Sequence, residues 1–173
     1  LVAVKIENGV GVVLEVNSET DFVAKNKDFQ SMVDSFAKVA LHANDIEHLK
    51  EVSIDGMTVS DILTDRIATV GENMSLRRMS TLSGDNVASY VHNSAAPDMG
   101  KIGVLVAFKG VDLEFGKQVA MHIAASNPVS LSDSDIDPEL LEREKVVLTE
   151  QARESGKPDN VIEKMIEGRL RKY

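Results

Sequence analysis

Two copies of one strand-then-helix pattern constrain the fold of this chain more than any other feature. The apolar run Gly11–Val16 (Gly-Val-Val-Leu-Glu-Val) resembles the run Gly103–Phe108 (Gly-Val-Leu-Val-Ala-Phe). Each run precedes a stretch with helical spacing of apolar residues. The two stretches share the pattern Phe-x-x-x-Val, which comprises Phe29 and Val33 in the first copy and Phe115 and Val119 in the second. The repeat predicts two related α+β subdomains, each a small antiparallel sheet with helices.

The elements around these copies follow from periodicity and turn residues. Asn8-Gly9 separates two β-branched runs and predicts a hairpin of Val2–Ile6 with Val10–Val16. Further helices are predicted over residues 28–41, 58–70 and 113–126, and further strands over 74–82, 87–91 and 102–108. Gly71 is placed to end the second of these helices. Residues 43–57 are polar and predict turns around Asp55-Gly56, and residues 93–100 predict a linker.

The end of the sequence predicts a helical hairpin. Asp137-Pro138 opens a charged helix that runs to about Glu154, since proline suits a first helical turn. Ser155-Gly-Lys-Pro158 breaks it, and residues 159–172 predict a second helix. The apolar stripe of each helix suffices only for the other helix or for a second chain, so we expect the hairpin to protrude. The predicted parts are an N-terminal subdomain 1–93, a C-terminal subdomain 101–136 and a coiled-coil hairpin 137–173.

Composition excludes several classes of function. Nineteen basic residues against 28 acidic ones give a net charge of −9, which argues against binding a nucleic-acid backbone. The chain has no cysteine, its four histidines lack metal-ligand spacing, and its only Gly-x-Gly lies inside the hairpin, so no cofactor or metal is predicted. No apolar run approaches the length of a membrane helix. The chain opens on Leu1 inside a strand-like run, so we expect a further segment before it.

The first copy of the repeat carries an insertion. The glycine and the phenylalanine of the pattern are 18 residues apart in the first copy and 12 in the second, so six extra residues lie within residues 17–28. One interpretation is structural: Ser18 and Asp21 form a helix-capping pair and Phe22 enters the core. The other is functional: an exposed Asp21 and Phe22 project from a helix tip to contact a partner. A cap that fixes the tip is compatible with both.

Thr20-Asp-Phe-Val23, within Glu-Val-Asn-Ser-Glu-Thr-Asp-Phe-Val-Ala-Lys-Asn26, resembles the signature of the elongation factor Ts family. The resemblance spans nearly the whole chain in the family's order, through Ile102-Gly-Val-Leu-Val106, Met121–Ser126 followed by Asn-Pro, Gly156-Lys-Pro158 and Ile166-Glu-Gly-Arg169. It implies a factor that binds elongation factor Tu and promotes release of GDP during translation, without covalent chemistry. It also implies a helical domain before the present residue 1 and a continuation past the hairpin that completes the second subdomain.

The resemblance also implies which residues contact the partner. Thr20, Asp21, Phe22 and Val23 are expected beside the magnesium site of the GTPase. Ile102, Gly103 and His122 are expected to contact another of its domains. The expected setting is the bacterial cytoplasm, with an organelle matrix as the alternative, and the expected partner is a protein, with neither nucleic acid nor membrane.

Three alternatives stay open on the residues alone. His122 shares a helix face with Phe115 and Val119, so it is either a packed neutral histidine or a partner contact. An acid/base hydrolase would pair His122 with Asp21 or Glu19, which requires hydrogen-bond reach in a cleft. A plain dimerisation module would use the helical hairpin to form a homodimer.

Overall fold

The computed structural model describes residues 1–154, 156, 161, 162 and 164–166. The chain forms two compact units, Leu1–Ser126 and Asn127–Tyr173. The strands are β1 Val2–Glu7, β2 Val10–Ser18, β3 Ser53–Ile54, β4 Met57–Thr58, β5 Met74–Ser83, β6 Asn86–His92, β7 Met99–Gly100 and β8 Ile102–Phe108. The helices are α1 Asp21–Lys25, α2 Lys27–Ala40, α3 Ile46–Glu51, α4 Val59–Val70, α5 Leu113–Ser126 and α6 Pro138–Glu154, with a 3-10 turn at Asp133–Asp135. The predicted class, α+β with small antiparallel sheets, is confirmed.

The predicted hairpin forms the centre of the first sheet. Asn8 and Gly9 take φ angles of 49° and 77°, and β1 pairs antiparallel with β2 in a register that sets Glu7 opposite Val10. Two residues with positive φ match the twist of the strands they join, which is why Asn-Gly suits this position. The four strands lie in the order β5-β2-β1-β7.

Helix α2 covers this sheet and encloses the main core. The Asn26 side chain caps the helix, because its Oδ1 accepts hydrogen bonds from the backbone N–H groups of Asp28, at 2.8 Å, and Phe29, at 3.2 Å. The inner face of α2 is fully apolar and packs with the inward residues of β2. The helix contributes Phe29, Met32, Val33, Phe36, Ala37 and Ala40, and the strand contributes Val12, Leu14 and Val16.

The segment between α2 and β5 matches the prediction only in part. Helix α4 begins at the Thr58 cap and ends at Gly71, whose φ of 75° is the left-handed conformation expected of a helix-ending glycine. Helix α3 was not predicted within the polar stretch. Asp45 caps it through a 2.7 Å hydrogen bond from the His48 N–H, and Leu49 is its one buried residue. The six-residue helix has only two apolar residues, Ile46 and Leu49, which are too few to establish a helical period.

The second copy of the repeat adds a two-stranded sheet. Strand β6 pairs with β8 along its whole length, from Asn86 opposite Phe108 to His92 opposite Ile102. Helix α5 packs on both strands, as α2 packs on β1 and β2. Within the described residues, β8 pairs with no strand other than β6. The predicted subdomain bounds 1–93 and 101–136 stay a prediction. The pairing of β6 with β8 joins the two ranges directly through backbone hydrogen bonds.

The two glycines that open the repeated strands meet the opposite copy. A Cβ on Gly11 would lie 2.8 Å from Leu105 and 2.9 Å from Val87. A Cβ on Gly103 would lie 3.2 Å from Val13 and closer still to two valines of β1. Because Leu105 follows Gly103 by two residues as Val13 follows Gly11, the two copies contact each other reciprocally across this interface.

In the second unit, α6 begins at Pro138 as predicted. Leu148 and Ala152 of α6 form a buried apolar cluster with Ile162 and Ile166. The predicted helix 159–172 lies largely outside the described residues. The coiled-coil hairpin, its protrusion and self-association through it therefore stay predictions. No helix in the described part of the chain combines the length and the apolar character needed to cross a membrane.

Candidate functional site

The candidate site is the insertion that distinguishes the first copy of the repeat from the second. Residues 19–26 separate β2 from α2, whereas only residues 109–112 separate β8 from α5. The first connection is four residues longer and contains α1, the five-residue helix Asp21–Lys25, and the other two surplus residues lie in the longer strand β2. Most of the surplus predicted from the spacing therefore lies in a short helical tip on the first subdomain.

Phe22 projects from this tip into solvent. Its side chain is 84% exposed, whereas its neighbour Val23 is 7% exposed and belongs to the main core. Consecutive helical residues point about 100° apart, so burial of Val23 turns Phe22 outward. Asp21 is exposed as well, and its carboxylate makes no hydrogen bond or ion pair within the described residues. The exposed position predicted for Phe22 is confirmed, and the core interpretation is wrong.

The predicted capping pair of Ser18 and Asp21 does not form. The N-cap of α1 is Thr20, whose side chain makes no capping hydrogen bond, and the Ser18 hydroxyl donates instead to the Thr20 carbonyl oxygen at 3.2 Å. The start of α1 is held from elsewhere, by Glu72. One carboxylate oxygen of Glu72 accepts from the Thr20 N–H at 3.1 Å, and the Thr20 hydroxyl lies 2.8 and 3.0 Å from the two oxygens.

The other end of α1 is joined to α2. The Asn26 N–H donates to the Val23 carbonyl oxygen at 2.9 Å while the Asn26 side chain caps α2. The Gln30 side-chain amide donates to the Ala24 carbonyl oxygen at 3.1 Å. These bonds, the buried Val23 and the Glu72 carboxylate hold the backbone of the tip at both ends. The side chains of Asp21 and Phe22 stay exposed, and neither forms a hydrogen bond or ion pair with another described residue.

A shallow apolar pocket of about 180 Å³ adjoins the tip. It contains one cationic side chain and is lined by Phe22, Val23, Asn26, Phe29, Arg66 and Val70. The Arg66 guanidinium lies 3.9 Å from the Asp28 carboxylate. The exposed ring, the apolar pocket and the nearby charges of both signs resemble the mixture found at protein interfaces.

The other predicted contact residues lie in the second copy of the repeat. Ile102 is 41% exposed at the start of β8, and Gly103 is half-buried against valines of the first copy. His122 is exposed on α5, so the packed-histidine alternative is wrong. Within the described residues, no hydrogen bond or ion pair connects this group with Thr20–Val23. Their common role as partner contacts stays a prediction.

The enzyme alternative lacks the contact it requires. In the described part of the chain the His122 imidazole makes no hydrogen bond or ion pair with Asp21, Glu19 or any other carboxylate. No group of three or more histidine, aspartate and glutamate side chains is arranged to hold a metal ion among those residues. The described geometry therefore offers contact chemistry at the tip and no acid/base pair at His122.

Sequence reasoning missed Glu72. It lies 52 residues from Thr20, directly after the glycine that ends α4. No local pattern connects a turn glutamate with a distant helix start. The only signal was its position next to a predicted helix end, where the chain reverses towards the sheet.

Comparison with known proteins adds the family. The family model described as elongation factor TS matches residues 19–173. The elongation factor Ts proteins of Roseobacter denitrificans and Dinoroseobacter shibae are 62% and 61% identical over all 173 residues of this chain, and that of Paracoccus denitrificans is 62% identical over an alignment of 177. The chain spans 60% of the length of these relatives. This chain belongs to the elongation factor Ts family.

Proposed function

We propose that this chain carries the core of a guanine nucleotide exchange factor that binds elongation factor Tu in its GDP form and promotes GDP release during translation elongation. The observation that carries the proposal is the helical tip, on which Phe22 is 84% exposed next to Asp21, whose carboxylate has no partner in the described part of the chain. The family membership and the names of the bacterial relatives support the same function. The proposed setting is the bacterial cytoplasm.

The exchange requires no covalent step. A GTPase holds GDP through contacts to the phosphates and through magnesium. A factor that binds the nucleotide-free GTPase more tightly than the GDP-bound form must weaken GDP binding by the same ratio, because the two affinities are thermodynamically linked. The tip supplies this preference if its side chains fit only a GTPase whose magnesium site has opened.

Phe22 and Asp21 have different parts in this scheme. An aromatic side chain that enters an apolar pocket is the typical residue of a binding hot spot, and its loss costs about 2 kcal/mol or more. The Asp21 carboxylate places negative charge near the magnesium and the phosphates, where it repels the phosphates and competes for the cation. Thr20 and Val23 hold these two residues in place.

We place a second contact on the other copy of the repeat. Ile102 and His122 are exposed there, and Gly103 fixes the close approach of β8 to the first copy. Contacts at two sites explain how the factor holds the GTPase while the tip disturbs the nucleotide site, since a second site raises affinity without opposing the first.

The test is GDP release from purified elongation factor Tu loaded with a fluorescent GDP. We expect the wild-type chain to accelerate release and Phe22→Ala to reduce the catalysed rate about tenfold or more, which corresponds to about 1.4 kcal/mol. The melting temperature should stay within about 2 °C, since the ring is exposed and surface substitutions rarely exceed about 0.5 kcal/mol. Asp21→Ala should slow release in the same direction.

Met57→Ala is the matched control. Met57 is also a large exposed apolar residue, at the start of β4, with no proposed contact. The Met57→Ala variant should accelerate GDP release from elongation factor Tu as much as the wild-type chain does. Equal rates for wild type, Met57→Ala and Phe22→Ala would rule out the proposed role of the tip, and a wild-type chain that leaves release unaccelerated would rule out the function for this chain.

A further inference from the structure

Among the described residues, Glu72 is the one side chain distant in sequence that hydrogen-bonds to the start of α1. It lies in the turn between Gly71, where α4 ends, and Met74, where β5 begins. Its carboxylate accepts from both the backbone N–H and the hydroxyl of Thr20, at distances between 2.8 and 3.1 Å. Ionised acceptors make stronger hydrogen bonds than neutral ones, and two donors from one residue fix its orientation as well as its position.

This contact replaces the capping that α1 lacks. In a capping box, a glutamate three residues into the helix accepts from the N–H of the N-cap residue. Here the acceptor is Glu72, which lies outside the helix and accepts the hydrogen bond from the N–H of the N-cap residue Thr20. The Thr20 hydroxyl donates to the same carboxylate and does not cap the helix. The negative charge at the N-terminus of α1 is also favourable to the helix dipole.

A helix as short as α1 does not hold its own conformation in water, because isolated helices below about 12 residues are marginal. Its geometry depends on its attachments. Val23 and Asn26 attach its middle and its end. Its beginning is attached by the Ser18 hydroxyl, two residues before Thr20, and, among the described residues distant in sequence, by the side chain of Glu72 alone. Asp21 and Phe22 lie between Thr20 and the buried Val23, so their direction depends on both attachments, and Glu72 holds the N-terminal one.

We propose that Glu72 is a positioning residue, which pre-organises Asp21 and Phe22 for the partner without contacting it. The inference rests on the proposed function of the tip. A side chain already ordered in its binding direction loses less conformational freedom on association. Loss of the Glu72 clamp should therefore weaken the productive engagement of the partner while the core of the first subdomain, to which Glu72 contributes no buried apolar group, remains folded.

The first test needs no partner. The chain contains no tryptophan, so Phe22→Trp introduces a single indole at the exposed tip, which is excited at wavelengths that the two tyrosines do not absorb. Time-resolved anisotropy of that indole measures its local motion in the free protein. We expect Glu72→Ala and Glu72→Gln to increase the amplitude of the fast local motion. Thr20→Val should act in the same direction, and combining it with Glu72→Ala should add little, because the two residues share one interaction.

Glu19→Gln is the matched control. It removes the same charge from a neighbouring exposed carboxylate that makes no hydrogen bond or ion pair within the described residues. It should leave the anisotropy unchanged. If the indole moves equally in the parent and in Glu72→Ala, the positioning role is wrong, whatever the partner does. Circular dichroism melts of each variant identify any that fails to fold, in which case Glu72→Gln and Thr20→Val decide the question.

The second test uses chains with the native Phe22 and measures the catalysed rate of GDP release as a function of the concentration of the factor. We expect Glu72→Gln to need three- to tenfold more factor for half-maximal acceleration, with the maximal rate changed less, since positioning acts on encounter and docking. Glu19→Gln should match wild type. A looser tip with unaltered release would overturn the claim that Glu72 serves exchange, whereas equal release by wild type and Phe22→Ala would overturn the proposed function and leave the anisotropy result standing.

Discussion

The two copies of the repeat share a topology and differ in how fully they are covered. In the first copy, α2 lies on a four-stranded sheet and buries the aromatic and aliphatic residues Phe29, Met32, Val33, Phe36, Ala37 and Ala40. In the second, α5 lies on two strands and buries only Gly116 and Ala120, while Leu113, Phe115 and Met121 are about half exposed. A shared pattern thus specifies the hairpin and its helix, and the number of surrounding elements decides how much of that pattern becomes core.

The phenylalanines of the repeated pattern give the largest test of this difference. Phe29 is 1% exposed and Phe115 is 53% exposed at the corresponding position. We expect Phe29→Ala to lower the free energy of unfolding by about 3–5 kcal/mol, since it leaves a cavity in a closed core. Phe115→Ala should cost less than about 1 kcal/mol. Urea denaturation followed by circular dichroism measures both.

Equal losses for the two variants would contradict the comparison. They would mean that the second copy has a core as complete as the first in solution. A large loss of unfolding free energy for Phe115→Ala, with little loss for Phe29→Ala, would mean that the second copy has the more complete core.

The glycines at the reciprocal interface should give the next largest effects. Gly103→Ala places a methyl group 2.7 Å from Val2 and 3.0 Å from Val4, and β-branched side chains turn aside with difficulty. Gly11→Ala meets the flexible end of Leu105 at 2.8 Å and a single valine, Val87, at 2.9 Å, whereas all three contacts of Gly103→Ala are valines. We expect both to destabilise by about 1–3 kcal/mol, with Gly103→Ala the worse. Thermal and urea unfolding of the two variants are the measurements.

A compensating change tests the cause. Val2→Ala removes the nearest atom, so the double variant with Gly103→Ala should lose less stability than the sum of the single ones. Alanine in a strand without crowding is favoured over glycine by about 0.5–1 kcal/mol. A stabilised Gly103→Ala would therefore show that the two copies do not pack closely.

An ion pair distinguishes the copies as well. In the first, Lys5 of β1 lies 2.8 Å from Asp34 of α2. Strand register and the Phe-x-x-x-Val pattern place Tyr90 and the buried Ala120 at the corresponding positions of the second. The first helix is thus attached to its sheet by charge as well as by apolar contact.

Asp34→Asn should give the smallest effect, about 1 kcal/mol at neutral pH. Partial burial raises the pKa of Asp34, but the hydrogen bonds from Lys38 and Lys5 outweigh it and hold that pKa below its ordinary value. The carboxylate therefore stabilises the fold above the unfolded pKa of about 4, and that contribution is lost as pH falls through the lower folded pKa. Urea denaturation at pH 7 and at progressively lower pH should show the wild-type advantage shrinking towards acid.

Asp98→Asn is the control, because Asp98 lies farther from Lys5, at 3.3 Å, and is more exposed than Asp34. It should cost less at neutral pH. An Asp34→Asn penalty that persists unchanged in acid would assign the effect to packing and not to charge.

Much of the fold was predictable because its signals are local. Asn8-Gly9 forms its hairpin turn with positive φ angles, and Gly71 ends its helix in the same conformation. The six-residue surplus before α2 correctly predicted that Phe22 is exposed to solvent. These residues act through backbone geometry or spacing within a few positions, which a sequence displays directly.

The features that were missed depend on distance along the chain. The spacing of Ser18 and Asp21 is typical of a helix cap, yet the start of α1 is held by Glu72. The pairing of β6 with β8 and the close approach of Gly11 to Leu105 also join residues that no local pattern connects. Which carboxylate reaches a given N–H is decided only after tertiary folding, so the site's anchor could not be predicted although its exposed residues were.

The two-stranded second sheet has a consequence for solubility. Strand β8 is a seven-residue apolar run, Ile-Gly-Val-Leu-Val-Ala-Phe, that pairs within the described residues only with β6. An apolar strand with an open edge is a template for aggregation. The net charge of −9 keeps copies apart at low ionic strength, where charges interact over about 10 Å or more. Concentrated salt screens that repulsion, so we expect this chain to stay dispersed longest in buffers of low ionic strength.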